Sequence, residues 1–458
     1  MHFKLKTQKN QTMKNLGKYF VMACLAAFTA GCGDDDDTVV TPEDPIIQPI
    51  GTEELSGNIS ANKTLKANTR YVLKGFVYVT SGATLTIEPG TIIKGDKDSD
   101  GSLIIERGAK IMAEGTREKP IVFTSNMPKG QRSVGDWGGI IILGNAPVNL
   151  PGQPKIEGGV DRAYGGANAA DNSGVLKYVR IEYSGIPFQP GNEINGLTLG
   201  GVGSGTVIDY VQVSFNGDDS FEMFGGTVNA KHLIAYKNVD DMFDSDNGYS
   251  GKLQFLLGVS APNVADVSKS NGIETDNDSN GSTNLPQTQA KFSNVSLIGP
   301  KANASTVIDG NFGQGIHFKK NTGTTVHNSV ISGWPVAINL DGSAVVSSAN
   351  AGNLFFKNGI VSGSSTQNFK STDAAFDFNA WFATHNSVTK SANSDLKIEG
   401  SFNQSGANFL PGTGSELLTG ANFTGMDSFF EQVAYRGAFG STDWTQGWAN
   451  FDPQNAEY

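Results

Sequence analysis

Apolar and polar residues alternate in short runs along most of the chain, and the runs end at Gly, Pro or Asn. Residues 71–79, 84–93, 102–105 and 120–124 are typical, rich in Val, Ile, Leu, Thr and aromatics. A period of two turns successive side chains to opposite faces, so these runs predict short strands joined by tight turns. One stretch reads as a helix instead: at residues 373–385, Phe376, Phe378, Trp381 and Phe382 follow a Thr372/Asp373 cap. It is expected to lie against the strands.

An internal repeat turns these strands into an architecture. Asp218-Asp219-Ser220-Phe221-Glu222 returns as Asp240-Asp241-Met242-Phe243-Asp244, an offset of 22 residues, and each copy leads into another strand, at 232–236 and 252–257. A period near 22 made of strands and turns is one coil of a right-handed parallel β-helix, a single-stranded solenoid of the all-β class. The leucine-rich frame of horseshoe repeats is missing. A β-sandwich array is the alternative fold, but sandwiches do not repeat sequence at a fixed period. The β-helix is expected over residues 56–400. Residues 401–458, rich in Asn, Gly and aromatics, are expected to cap the last rung, because an open sheet end aggregates.

Residues one rung apart in such a coil stand roughly 4.8 Å above each other. With Phe221, Phe243, Ile273, Ile316 and Ile338 turned inward, the residues after them form an outward column of Glu222, Asp244, Glu274, His317 and Asn339. Two positions on, Phe224, Asp246, Asp276, Lys319 and Asp341 form another. The first step is 22 residues and the next two are 30 and 43, which demands bulging loops or a skipped rung. Carboxylates about 5 Å apart repel by about 3 kcal/mol at an effective dielectric near 20. Such a stack requires Ca²⁺ or another hard cation, raised pKa values, or the neighbouring His317 and Lys319; the competing reading is a fully hydrated acidic face. Asp96-x-Asp98-x-Asp100-Gly101 and Asp276-x-Asp278-x-Asn280-Gly281 add the alternating oxygens of a calcium loop, although Arg107 and Gln287 stand where an EF-hand has Glu. The candidate calcium ligands are therefore Asp96, Asp98, Asp100, Asp244, Asp246, Asp276 and Asp278.

Composition narrows the classes. With 57 Gly, 17 Pro, 17% charged and 38% apolar residues, the 458-residue chain is turn-rich rather than disordered. A formal charge of −11 without a basic stripe excludes nucleic acid as a partner. Lys4, Lys6, Lys9, Lys14 and Lys18 precede an apolar run of 12 residues, 19–30, with no acid before Asp34. Residues 1–31 thus read as a signal peptide, and Met13 offers a second start that leaves a signal of ordinary length. No other apolar run approaches the roughly 20 residues of a helical membrane span. Both cysteines, Cys24 and Cys32, lie in this segment, so the exported body has no disulfide framework, thiol nucleophile or cysteine metal site. Removing residues 1–31 takes the formal charge from −11 to −16, since they hold five lysines and no acid. Residues 32–55, acidic and carrying Pro42, Pro45 and Pro49, read as a flexible tether.

Three resemblances follow. Thr29-Ala30-Gly31-Cys32 resembles a bacterial lipobox, with Thr where Leu is usual, and implies a lipid on Cys32. The acids Asp34, Asp35, Asp36 and Asp37 directly after Gly33 resemble the tag that sends Bacteroidota lipoproteins to the outer face of the outer membrane. The stretches GATLTIEPGTIIKG, SLIIERGAKIMAEGTREKPIVFTS, GDWGGIIILGNAPVN and DWTQGWANFDPQNAEY resemble Bacteroidota cell-surface right-handed parallel β-helix (lipo)proteins. This last resemblance implies a fold and little about function, since its motifs are turns and strand corners.

The expected function is that of an outer-membrane lipoprotein with a calcium-stabilised β-helix. It binds an extracellular glycan or another surface ligand by multivalent contact along a rigid ladder. Glu222, Glu274 and Asn339 would make polar contacts, and Trp444 and Trp448, with Trp334, Tyr435 and Tyr458, are candidates for stacking on sugar rings or for packing the cap. The alternative is an enzyme on acidic polysaccharide, a lyase or a glycoside hydrolase. Lys319, Lys320 or Arg180 would then be the base, with Glu222, Asp244 and Asp246 on a metal and His317 close by, yet no lyase or hydrolase signature surrounds them. A structural surface component is the third reading. His232, His327 and His385 read as structural.

Overall fold

The computed structural model describes residues 51–189, 192–364, 367–404 and 408–458. The signal segment, Cys32, the acidic run and the tether up to residue 50 lie outside the described residues. The chain winds as a parallel β-helix: 26 strands form one continuous parallel sheet, beside an antiparallel pair, Ile186–Gln189 with Asn192–Ile194.

Each coil has three faces. The first runs through Thr84–Ile87, Lys110–Glu114, the opening halves of Asn229–Tyr236, Lys252–Val259 and Lys291–Ile298, and on to Phe355–Lys357. The second takes the closing halves of the same long strands and ends at Val388–Lys390. The third stacks Leu197–Gly200, Phe221–Phe224, Phe243–Asp246, Ile273–Thr275, Gln314–Phe318 and Val336–Leu340. Phe221, Phe243, Ile273, Ile316 and Ile338 are paired in register and buried, and the Phe221 and Phe243 rings stack at 5.4 Å. Asp244 pairs with Glu274 and Glu274 with His317, so no rung is skipped. The extra residues bulge out as loops at 260–272, 276–290 and 299–313.

From Gly174–Glu182 onward, the bend between the first and second faces turns on a residue with positive φ in seven successive coils: Tyr178, Tyr210, His232, Phe255, Asn294, Asn328 and Asn358. Residues with side chains rarely take this conformation, and Asn tolerates it best. The aromatic half is held by stacking, at 4.5 Å for Tyr178 on Tyr210, 4.1 Å for Tyr210 on His232 and 5.1 Å for His232 on Phe255.

The ends differ from expectation in four respects. The first strand, Gly51–Ile59, begins inside the segment read as tether. The expected helix shortens to Phe378–Thr384, because Asp377 rather than Asp373 caps it, accepting from the Ala380 N–H at 3.0 Å. A second helix, Ser343–Asn350, went unread because its serines mask the buried face of Val345, Val346 and Ala349. The rod's interior is closed by Trp381 and Phe382, whose ring stacks on Phe356 at 5.7 Å and meets Phe369 at 4.4 Å.

The fourth is that the C-terminal segment does not cap this end. It runs back along the bend: Asn422 meets Asn328, Glu431 meets Gln254, Asn450 meets Gln212, and the Arg132 guanidinium donates to the Pro453 carbonyl at 2.7 Å. Its aromatics Trp444 and Trp448 pack on the Tyr178 to Phe255 stack. No helix among the described residues is long and apolar enough to cross a membrane.

Candidate functional site

The repeated Asp-Asp pairs end two identical turns that lead into the third face. The Asn216 amide donates to the Asp218 and Asp219 carbonyls at 2.8 and 2.6 Å, and the Asn238 amide treats Asp240 and Asp241 alike at 2.6 and 2.7 Å. Because the turns are congruent, their acids stack. Asp219 accepts from the Asp241 N–H at 2.8 Å, and Asp241 accepts from the Asn271 N–H above it. One oxygen of each carboxylate thus ties rung to rung and the second faces the cleft. Carboxylate oxygens of Asp218, Asp219 and Asp240 lie within 4.8 Å of one another, and so do those of Asp219, Asp241 and Asp244.

These acids floor a cleft of about 320 Å³ that also takes in Glu157, Glu193, Glu222, Glu274, Lys269, His317 and Lys319. Glu222 and Asp244 are vertical neighbours. The column is not fully outward: Glu222 is buried beneath Asn195, whose amide it accepts from, and Asn195 also holds Glu157 at 3.1 Å. Loops 154–164 and 260–272 rise beside the sheet and make a cleft of what the strand pattern reads as an open face.

Burial and mutual repulsion dominate the titration. Burial, with Asp240 beside it, pushes Asp218 up to about 8; burial, with Asp266 and Glu274, takes Asp240 to about 7. Asp219, Glu222, Asp241, Asp244 and Asp246 are raised well above their usual range, again by burial first and neighbouring acids second. Glu274 moves the other way: burial opposes its charge, but the His317 hydrogen bond and the Lys319 ammonium outweigh it. Lys319 is ion-paired to Glu274 and stands 3.9 Å from Asp276; although burial works against its charge, Glu274 and Asp244 raise its pKa. His317 bridges Glu274 and Asp341, at 3.1 Å to each.

Four buried carboxylate oxygens, on Asp240, Asp244, Asp246 and Asp276, have no hydrogen-bond partner. An orphaned buried oxygen is costly; those of Asp240 and Asp244 line the cleft, one in each acid triad, whereas Asp246 and Asp276 belong to neither triad, and carboxylates grouped as the triads are match the donor set of a hard divalent cation. The residues present fit such an ion, with Asp219, Asp241 and Asp244 as its core.

The other candidate residues fall elsewhere. The Asp96 carboxylate is occupied by Lys74 at 3.0 Å and Ser99 at 2.7 Å, while Asp98 and Asp100 are exposed in the same loop, apart from the acid triads. Asp278 accepts from the Asn280 and Ser282 N–H groups at 2.9 and 3.1 Å, which closes its own turn. Both loops are turns held by their own hydrogen bonds. Asp276 lies outside the cleft lining, with Lys320 at 3.4 Å and Lys319 at 3.9 Å. Asn339 is buried one rung beyond His317.

Trp444 and Trp448 do not offer sugar platforms. Both are buried, Trp444 against the Tyr210 and His232 rings and Trp448 against Tyr178 and Tyr210, with their indole N–H groups donating to the Ala438 and Trp444 carbonyls at 2.8 Å. Trp334 is buried too, and the Tyr458 hydroxyl donates to Glu182. Arg180 lies with Glu182 and Tyr458, outside the cleft. Asp218, Asp219, Asp240 and Asp241 are the residues missed, although their repeat set the coil period; the same 22-residue echo that marks a rung also marks two stacked ligands.

A model of the pectate-lyase-like β-helix domain matches residues 57–449. The chain belongs to this family. It matches none of the curated proteins. Among solved structures it is similar to the crystal structure of pectate lyase Pel9A, with 16% identity and a TM-score of 0.42, over 80% of this chain and 89% of that one.

Proposed function

We propose that this protein binds an acidic polysaccharide in the carboxylate cleft with the help of Ca²⁺ and cleaves it by β-elimination. The observation that carries the reading is the pair of acid triads sharing Asp219, set beside Lys319. Family membership supports a role on polysaccharide. Asp219, Asp241 and Asp244 would hold the cation, with Asp218 and Asp240 next to it. A cation there supplies positive charge that offsets a uronate carboxylate and acidifies the adjacent C–H.

Lys319 would take that proton, the electron pair would form the new C=C bond, and the glycosidic C–O bond would break with the oxygen leaving on the other sugar. Glu274, foremost, with Asp244 and Asp276 raises the Lys319 pKa; a cation held by Asp219, Asp241 and Asp244 would oppose that field and favour the free amine. His317, fixed between Glu274 and Asp341, orients Glu274 rather than reacting.

One feature favours binding without turnover: the Lys319 ammonium is already ion-paired to Glu274. Under that reading the protein is an adhesin for the same anionic glycans. The lipobox-like Cys32 and the acidic run after it support display on the outer membrane, facing outward, as in the Bacteroidota surface proteins it resembles. The deciding experiment incubates the protein with polygalacturonate and millimolar Ca²⁺ and follows ultraviolet-absorbing unsaturated product. Product that disappears in Lys319→Ala supports elimination. Ca²⁺-dependent retention of the polymer without product supports the adhesin, and neither product nor retention sinks both.

A further inference from the structure

A second cavity lies on the first face of the coil, away from the acids. It measures about 560 Å³ and is walled on one side by the column Lys291, Thr325 and Phe355, with His327 and Lys357 two residues along, and on the other by the returning C-terminal segment at residues 424–430. Its charge is opposite to that of the cleft. Neither Lys291 nor Lys357 makes an ion pair among the described residues, and the one acid at the rim, Asp427, is held by Lys252 at 2.9 Å. Cationic crowding shows in His327, taken down to about 4 by burial and then by Lys357, Lys291 and His385. Unpaired ammonium groups walling a concave site, in a protein that is acidic overall, are an anion site in search of its anion.

The remaining lining narrows the ligand. Gln287, Gln289 and Asn353 offer amides suited to hydroxyl groups, and Phe355 and Met426 offer apolar surface for C–H faces. By register the two lysines stand two rungs apart and two residues along the strand, roughly 12 Å between their backbones, a spacing that acid groups along an oligosaccharide can meet. We propose that this groove is a second saccharide site, distinct from the carboxylate cleft, that takes a polyanionic oligosaccharide with its acid groups on Lys291 and Lys357 and a sugar ring against Phe355. The shared chemistry is an anionic pyranose, carboxylated or sulfated. The site is independent of Ca²⁺ and of any turnover in the cleft.

Calorimetry in EDTA tests it, with tetragalacturonate, a sulfated galactan tetrasaccharide and neutral galactotetraose as probes. Binding of either anionic probe, but not the neutral one, is expected, and the one that binds identifies carboxylate or sulfate. Lys291→Ala and Lys357→Ala, both surface changes, should each weaken it about tenfold, the worth of one charge-assisted hydrogen bond. Both variants should keep the wild-type melting temperature and its response to Ca²⁺, which separates failure here from failure of the cleft reading. Absence of binding by both anionic probes at millimolar concentration, equal binding of the neutral probe, or affinity untouched in the double variant overturns the proposal.

Discussion

The acid triads make a quantitative demand on stability. At 4.8 Å and an effective dielectric of about 20, each ionised pair costs about 3 kcal/mol, so a fully charged triad costs about 10. The fold avoids this by keeping protons: Asp218 at about 8 and Asp240 at about 7 hold them where an unfolded Asp has lost them. The folded state therefore binds more protons than the unfolded one between the ordinary Asp value, about 3.8, and about 8, and in EDTA stability must fall as pH rises through that window. Calcium reverses the loss at the upper end. At a free concentration 100 times its dissociation constant it adds about 2.7 kcal/mol, which for a chain of this size is a rise of about 3 °C in melting temperature. The gain should shrink toward pH 5, where protons compete for the same oxygens. The assay is thermal unfolding followed by circular dichroism at pH 5, 6.5 and 8, with EDTA or millimolar Ca²⁺. Asp241→Asn serves as control: it keeps the acceptor for the Asn271 N–H, should raise the melting temperature in EDTA at pH 8, and should lose the calcium response. A melting temperature in EDTA that is flat or rises from pH 5 to 8, or a calcium shift that persists in Asp241→Asn, would refute the reasoning.

Other consequences are simpler to check. Replacing Asp96 by Asn should leave the calcium-dependent shift in melting temperature unchanged, because Lys74 and Ser99 already satisfy that carboxylate. Trp448→Ala should cost about 3–5 kcal/mol by opening a cavity under the C-terminal segment, read by denaturant unfolding, and should expose residues 401–458 to limited proteolysis. Asn328 combines a positive φ with hydrogen bonds to both backbone groups of Asn422, so Asn328→Ala should cost about 2–3 kcal/mol and Asn328→Gly less, since Gly restores the backbone conformation but not the bonds. Lys319→Ala should abolish release of unsaturated product while leaving Ca²⁺-dependent retention of polygalacturonate within about threefold, the part expected of a base that adds little to ground-state binding.

The winding of the chain is legible in its local pattern. A solenoid is assembled from neighbours, so its period, its inward Phe and Ile column and the partnership of Glu222 with Asp244, Glu274 and His317 are written locally and survive loops of unequal length. What depended on segments remote in sequence was decided by tertiary structure alone. The first strand paired with residues 69–79 where composition read a tether. The C-terminal aromatics chose the Tyr178 to Phe255 stack over the open end, which hid Trp444 and Trp448. Glu157 arrived on the loop at 154–164 and meets Asn195, whose amide covers Glu222, and Asp218 and Asp240 became acids with displaced titration only once that loop and its neighbours excluded water. Periodicity reports which side chains share a face; whether that face meets water, a loop or a distant segment depends on contacts that no local pattern encodes, and charge chemistry follows the solvent.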